Sequence, residues 1–384
     1  MFSSIDHAMM LRAITLAKNG QYTTTPNPNV GCVIAHGDEI VGEGYHYRAG
    51  QPHAEVYALR AAGAKAAGAT AYVTLEPCSH YGRTPPCAEA LVKASVKRVV
   101  CAMVDPNPKV AGRGITMLQQ AGIEVQTGLL EQDAEALNPG FIKVMKTGLP
   151  YVQLKLAASL DGRTALANGE SKWITGPAAR ADVQRYRARA GAILSTSATV
   201  LADDPSLNVR WQELGTEVQS AYPQAELRQP VRVVIDSLNR VTPQHHLVGL
   251  PGKTVLARKQ ADTQSWPQDV EQLVIKEGEG VDLPALMAVL AQNNIHHIWV
   301  EAGASLAGAL LQAGLVDELI LYQAPKLMGS DSRGLVDLNG LVSMDQVPEL
   351  SVTDVRMVGG DIRISARVQA HIQTDILNQT KHKV

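Results

Sequence analysis

Two spacings of apolar residues run through the first 130 positions. Ile5, Met9, Ala13 and Leu16 recur at helical spacing with Asp6, Arg12 and Lys18 among them, which predicts an amphipathic helix and not a leader peptide. Short apolar runs at 30–35, 70–75 and 98–103 predict strands, and alanine-rich stretches at 53–62 and 87–95 predict helices between them. Alternation of this kind predicts a layered α/β domain with a largely parallel core. Residues 131–150 carry a polar helical pattern that ends in a Gly/Pro break at 146–150, the expected linker.

A second series follows. Strands are predicted at 151–157, 192–196, 231–236, 254–257, 273–276, 297–301 and 318–322, with helices at 177–189, 283–292 and 305–313. Residues 352–358 and 361–368, joined by Gly359-Gly360, predict a closing hairpin. From Ala370 the chain is polar, and a disordered tail is expected. No internal repeat is present.

Composition narrows the class. A chain of 384 residues suits two domains. A net charge of -2 leaves no basic face for nucleic acid, and no apolar run has membrane-spanning length, so a cytoplasmic enzyme of small molecules is expected. Four cysteines are too few to staple such a chain. Cys32 and Cys101 lie in strand-like runs and read as inert core residues, whereas Cys78 and Cys87 lie in polar, proline-rich sequence.

Cys78 and Cys87 belong with His53-Ala54-Glu55 and Thr74-Leu75-Glu76-Pro77-Cys78. One imidazole, two thiols and a carboxylate two residues from the imidazole are the parts of a zinc hydrolytic site. Zinc can bring the pKa of water from about 15.7 to about 7, on the order of 12 kcal/mol at about 1.36 kcal/mol per unit. Two thiolates and a neutral imidazole leave a fourth position open, and Glu55 is then free to carry protons. His80 is the alternative: a fourth ligand closing a structural clip, or a contact to substrate.

The pattern resembles the zinc-dependent cytidine-deaminase-like superfamily, with H-x-E followed by P-C. It departs in having eight residues between the cysteines instead of two. That insertion, Cys78-Ser79-His80-Tyr81-Gly82-Arg83-Thr84-Pro85-Pro86-Cys87, with Thr25-Pro26-Asn27-Pro28-Asn29, Gly42-Glu43-Gly44-Tyr45-His46 and Asp105-Pro106-Asn107-Pro108, resembles the bifunctional deaminase/reductase family of bacterial riboflavin biosynthesis. The likeness extends to about residue 368.

The resemblance implies a zinc-dependent pyrimidine deaminase over 1–147, of cytidine-deaminase-like α/β/α form, and an NADPH-dependent reductase over 148–369, of dihydrofolate-reductase-like α/β form. A polar tail covers 370–384. It implies zinc on His53, Cys78 and Cys87, Glu55 as the catalytic proton carrier, and a pyrimidine ribosyl phosphate substrate touched by Asn27, with Gly82 and Arg83 near its phosphate. An Asn-Pro turn explains Asn27 nearly as well. In the second half it implies cofactor contacts from Ala157, Trp173, Thr199, Asp203, Ser237 and Gly303. Substrate contacts are implied from Lys155, Ser171, Arg187, Leu207, Arg210 and Glu301. The stretch 300–308 has neither a G-x-G-x-x-G nor a P-loop pattern, and small residues there suit either a phosphate or close packing. Ala302 and Gly191 stand where relatives commonly carry glycine and aspartate. Relatives imply a homo-oligomer. A nucleoside or tRNA deaminase with an unrelated second domain, and a zinc-stabilised sensor, are the competing readings. The long cysteine loop and the free carboxylate of Glu55 speak against them.

Overall fold

A computed structural model describes residues 1–81, 85–108, 110–275 and 280–369. Gly82, Arg83, the Lys276 end of one expected strand and the tail from Ala370 lie outside the described residues. The chain forms two compact units that meet at Leu149 and Pro150.

The first unit contains α1 (Ser4–Ala17), β1 (Gly31–His36), β2 (Glu39–Tyr45), α2 (Ala54–Ala62), β3 (Thr70–Val73), α3 (Cys87–Lys93) and β4 (Arg98–Cys101). It continues with α4 (Arg113–Gln120), β5 (Glu124–Thr127), α5 (Glu131–Glu135) and α6 (Pro139–Thr147). Among the described residues its sheet runs β2-β1-β3-β4-β5. Alternate residues of each strand feed opposite cores. Cys32, Ile34, Val73 and Cys101 pack with Ala54, Ala58, Ala88 and Leu118 of α2, α3 and α4. Val33, Ala35, Tyr72 and Val100 pack with Met10, Ala13 and Ile142 of α1 and α6. The result is an α/β/α sandwich. The expected largely parallel core needs correcting: β1 pairs antiparallel with both β2 and β3, and only β3-β4 and β4-β5 are parallel. A tight turn at Gly37 (φ 61°) forces the β1-β2 reversal.

Glycines set the depth of α2. A Cβ on Gly42 would lie 2.3 Å from the Ala58 carbonyl oxygen, and one on Gly44 2.5 Å from Tyr57 Cβ. Without side chains there, α2 lies directly on β2, and its N-terminus is brought toward the end of β3.

The second unit holds β6 (Tyr151–Ser159), β7 (Arg163–Ala165), α7 (Pro177–Arg189), β8 (Ala192–Thr196), α8 (Ser197–Asp203), α9 (Thr216–Ala221), β9 (Val231–Ile235) and β10 (Thr254–Arg258). Then come β11 (Val270–Val274), α10 (Leu283–Gln292), β12 (His297–Glu301), α11 (Ala304–Gln312), β13 (Glu318–Ala324), β14 (Arg333–Gly334), β15 (Leu350–Val358) and β16 (Asp361–Val368). The main sheet runs β11-β10-β9-β8-β12-β6-β13-β16-β15 among the described residues. It is parallel from β11 to β13 and ends in the antiparallel pairs β13-β16 and β16-β15. Proline at the first turn starts both α7 and α10, and the Asp282 side chain caps α10 by accepting from the Ala285 N–H. The strand expected at 273–276 begins three residues earlier, at Val270, and ends at Val274, and β2, β5, β7, β14, α4, α8 and α9 were not predicted.

Candidate active sites

His53 is the N-cap of α2, in extended backbone and with no side-chain capping bond, so its ring is free to turn outward. Cys87 opens α3 after Pro86. Cys78 lies beyond β3, which stops at Val73 and not at the expected residue 75. Backbone clamps hold this stretch: Thr74 Oγ1 accepts the Gly31 N–H at 3.1 Å. The Glu76 carboxylate accepts N–H bonds from Asp105, Gly112, Gly114 and Ile115 at 2.9–3.3 Å. These join residues 76–78 to the start of α4, where an anion is favoured by the exposed N–H groups.

The clamps converge three donors. One ligand atom each from His53, Cys78 and Cys87 lies within 4.8 Å of the others, the one such group of three among the described residues. His53 Nδ1 is 3.6 Å from Cys78 Sγ and 3.4 Å from Cys87 Sγ. Cys78 Sγ also accepts the Cys87 N–H at 3.3 Å. The Cys87 hydrogen bond, with help from His53, brings the Cys78 thiol down to about 4 against the opposing effect of burial. Cys87 is driven up by its bond to Cys78 and by burial, and His53 is raised by its bond to Cys78. One sulfur is therefore ready as a thiolate, the state that binds metal. Two sulfurs and a nitrogen this close suit zinc, with a position left over. His80 is exposed and outside the group.

Glu55, on the first turn of α2, is 3% exposed. Burial pushes its carboxyl up to about 7, a poise suited to taking and returning a proton. His46, not singled out by sequence reasoning, is buried against His53. Its Nε2 meets Asn27 Nδ2 at 3.0 Å, its Nδ1 meets the Pro52 carbonyl at 3.0 Å, and its ring lies edge-on to His53 at 5.4 Å. Asn27 is thereby tied to the loop that ends at His53. Neither His46 nor Glu76 carries a periodic signal, because their partners are backbone groups and one distant amide.

In the second unit, register places Glu301 of β12 beside Lys155 of β6. Arg187 donates Nε to Glu301 Oε1 at 2.6 Å and Nη2 to Oε2 at 2.8 Å, and Nη1 to the Asn208 carbonyl at 2.8 Å. Trp299 Nε1 donates to Glu301 at 2.8 Å. Burial lowers Lys155, favouring its neutral form. Ala157 follows on β6, opposite Tyr322. Ser171 is half-buried, and Trp173 is exposed beneath the Arg180 guanidinium, 4.5 Å away. Lys172 pairs with Asp203 at 3.1 Å, and Thr199 Oγ1 lies 3.2 Å from Thr196 Oγ1. Ser237 is half-buried just past β9. Leu207 turns its side chain into the core with Val234 and Trp299, and exposed Arg210 spends its fork on Glu213. Gly303 caps α11, and a Cβ there would meet open space. That open helix N-terminus suits a dinucleotide phosphate.

Comparisons with known proteins agree with both units. Residues 3–103 match the family model described as the cytidine and deoxycytidylate deaminase zinc-binding region, and residues 150–364 match the RibD C-terminal domain. The riboflavin biosynthesis protein RibD of Escherichia coli K12 is 62% identical, over 93% of this chain and 98% of its own. A solved RibD of Acinetobacter baumannii is 48% identical with a TM-score of 0.86, over 95% of this chain and 99% of its own. A solved diaminohydroxyphosphoribosylaminopyrimidine deaminase/5-amino-6-(5-phosphoribosylamino)uracil reductase of Thermotoga maritima is 30% identical with a TM-score of 0.84, over 95% and 99%. With a zinc-type deaminase unit followed by a reductase unit, the chain belongs to the RibD family of bifunctional riboflavin-biosynthesis enzymes.

Proposed function

We propose that this chain removes the 2-amino group from 2,5-diamino-6-ribosylamino-4(3H)-pyrimidinone 5′-phosphate and then reduces the ribosyl side chain of the deaminated product to ribityl. The observation that carries the first step is the convergence of His53, Cys78 and Cys87 beside a buried carboxyl outside the donor group. Bound zinc supplies Lewis acidity, which makes water a nucleophile at neutral pH. His53, Cys78 and Cys87 hold the metal. Glu55 carries one proton from water to a ring nitrogen and a second, from the hydroxyl then on carbon, to the departing amine, so that a C–O bond replaces C–N and ammonia leaves. Asn27, fixed by His46, orients the pyrimidine.

In the second unit NADPH supplies a hydride. Ala157, Trp173, Thr199, Asp203, Ser237 and Gly303 bind the dinucleotide. Lys155, half-buried and pushed toward neutrality, donates a proton or hydrogen bond as the ribose ring opens. Glu301 stabilises the positive character at C1′, with Arg187 holding its carboxylate in place, and Ser171, Arg187, Leu207 and Arg210 border the substrate. The chain works in the cytoplasm as a homo-oligomer, and it divides into its two catalytic domains at residues 147–148. Glu55→Gln tests the division of labour: ammonia release should be lost, while the deaminated intermediate is still reduced at the parent rate. Loss of both activities, or of neither, contradicts the assignment.

A further inference from the structure

Asn138 stands where a side chain would cap a helix, and its side chain does something else. It is the N-cap residue of α6, ahead of Pro139, and makes no side-chain capping bond. Asparagine is favoured at such a position because its side-chain oxygen can accept a free N–H of the first turn, an effect of about 1 kcal/mol. Here the amide is turned toward a distant loop. Asn138 Oδ1 accepts the Asn29 N–H at 2.6 Å, and Asn138 Nδ2 donates to the Asn29 carbonyl at 2.9 Å. One side-chain amide thus pairs with both backbone groups of a residue 109 positions away, as a neighbouring strand would.

The loop it grips leads to the deaminase site. Asn29 Nδ2 donates to the Leu137 carbonyl at 3.0 Å, and Asn29 Oδ1 accepts from Thr24 Oγ1 at 2.7 Å. The Asn27 N–H donates back to the Thr24 carbonyl at 2.8 Å. Residues 24–29 are therefore a closed loop, fastened at Asn29 to the turn between α5 and α6. Asn27 lies inside that loop with its Nδ2 on His46 at 3.0 Å. Its Oδ1 has no hydrogen-bond partner among the described residues, which leaves an acceptor for an N–H or amino group of a pyrimidine. Pro28 separates Asn27 from Asn29, and proline restricts both its own φ and the residue before it. A shift of the backbone at Asn29 is thus carried to Asn27 and not absorbed on the way.

We infer that Asn138 is a positioning residue of the deaminase reaction, which places Asn27 against the pyrimidine by fastening the backbone at Asn29. The inference rests on the proposed contact between Asn27 and the substrate. Asn138 is 7% exposed and its amide is occupied at both ends, so its effect on a ligand passes through the loop. His46 holds the tip of the Asn27 side chain, and Asn138 holds the backbone two residues on. The two restraints act on different atoms, and both are needed to fix the direction of the Asn27 carbonyl. Displacing a positioning group by about 1 Å can cost about a hundredfold in rate.

Ammonia release from the diaminopyrimidine phosphate by the full-length parent, N138A, N27A and N138A/N27A tests this. N138A should lower kcat/KM by about 10- to 100-fold. In the N27A background the same change should cost less than about twofold, because a residue that acts through another adds nothing once that residue is gone. Equal factors in the two backgrounds, or a parent-like N138A, overturn the inference. So does zinc content in N138A below that of the parent, which would put the effect on the metal donors. A parent-like N27A removes the contact between Asn27 and the pyrimidine, and the inference with it. An impaired N27A beside a parent-like N138A overturns the inference alone. If N138A fails to fold, N138D decides, since it keeps the acceptor for the Asn29 N–H and loses the donor. Its loss should likewise shrink to within about twofold in the N27A background, and a loss that persists there overturns the inference.

Discussion

Replacing Arg187 with methionine leaves a buried carboxylate without its counter-ion. The Arg187 and Glu301 side chains are 10% and 15% exposed, and two short bonds join them. Burial pushes the Glu301 carboxyl up, but Arg187, then Lys155 and the Trp299 bond, outweigh it and hold it at about 2 against an ordinary 4.5. At about 1.36 kcal/mol per pH unit, that difference is on the order of 3 kcal/mol. Breaking a buried pair from one side costs about 3–5 kcal/mol, so the two routes agree. The chain's four tryptophans, Trp173, Trp211, Trp266 and Trp299, all lie in the second unit, so their fluorescence during urea unfolding follows that unit alone. R187M should lose about 3–5 kcal/mol, and R187M/E301L distinctly less because no unpaired carboxylate remains. The pH dependence has a definite sign. Glu301 is depressed in the folded state, so its contribution is complete above about 4.5 and fades as pH falls toward about 2. The parent should weaken through that window, and R187M/E301L should lose this part of the dependence. An R187M variant within about 1 kcal/mol of the parent, or a double variant as damaged as the single, would refute the reasoning.

Other consequences follow from packing and clamping. Gly44→Val should displace α2, since even a Cβ would lie 2.5 Å from Tyr57 Cβ and 2.8 Å from the Ala54 carbonyl. Zinc content and ammonia release should fall while reduction of the deaminated intermediate persists, and unchanged zinc content would contradict the close approach. Glu76→Ala leaves four backbone N–H groups without their carboxylate. At about 1–3 kcal/mol for each donor left buried and unpaired, the first unit should lose several kcal/mol in calorimetry, and a loss under about 1 kcal/mol would argue against the clamp. Asp6→Asn should loosen α1, because the buried carboxylate accepts from Arg98 at 2.7 Å and from Tyr72 at 2.8 Å. Faster hydrogen exchange confined to residues 4–17 is the expected readout.

Much of this fold could be read from the chain, and the exceptions have physical causes. The expected bounds of α7 and α10 match the observed ones, and a proline in the first turn marks where each begins. Strand β2 was missed because two glycines replace apolar positions where α2 approaches, and β5 because Val125 is the one apolar residue of Glu124–Thr127. Strand direction is not written in an apolar run, which is why the antiparallel half of the first sheet was unexpected. The metal donors were legible because cysteines in polar loop sequence are unusual. His46 and Glu76 were not, since their work is done through backbone atoms. Arg187 and Glu301 stood out as separate polar positions, but nothing local says that two residues 114 apart bind each other.

Metal analysis combined with X-ray absorption at the zinc edge addresses the deaminase site most directly. One zinc per chain is expected, with two sulfur neighbours, one nitrogen and one light atom not supplied by the protein. A chain without zinc, or a fourth ligand drawn from a protein side chain, would contradict it.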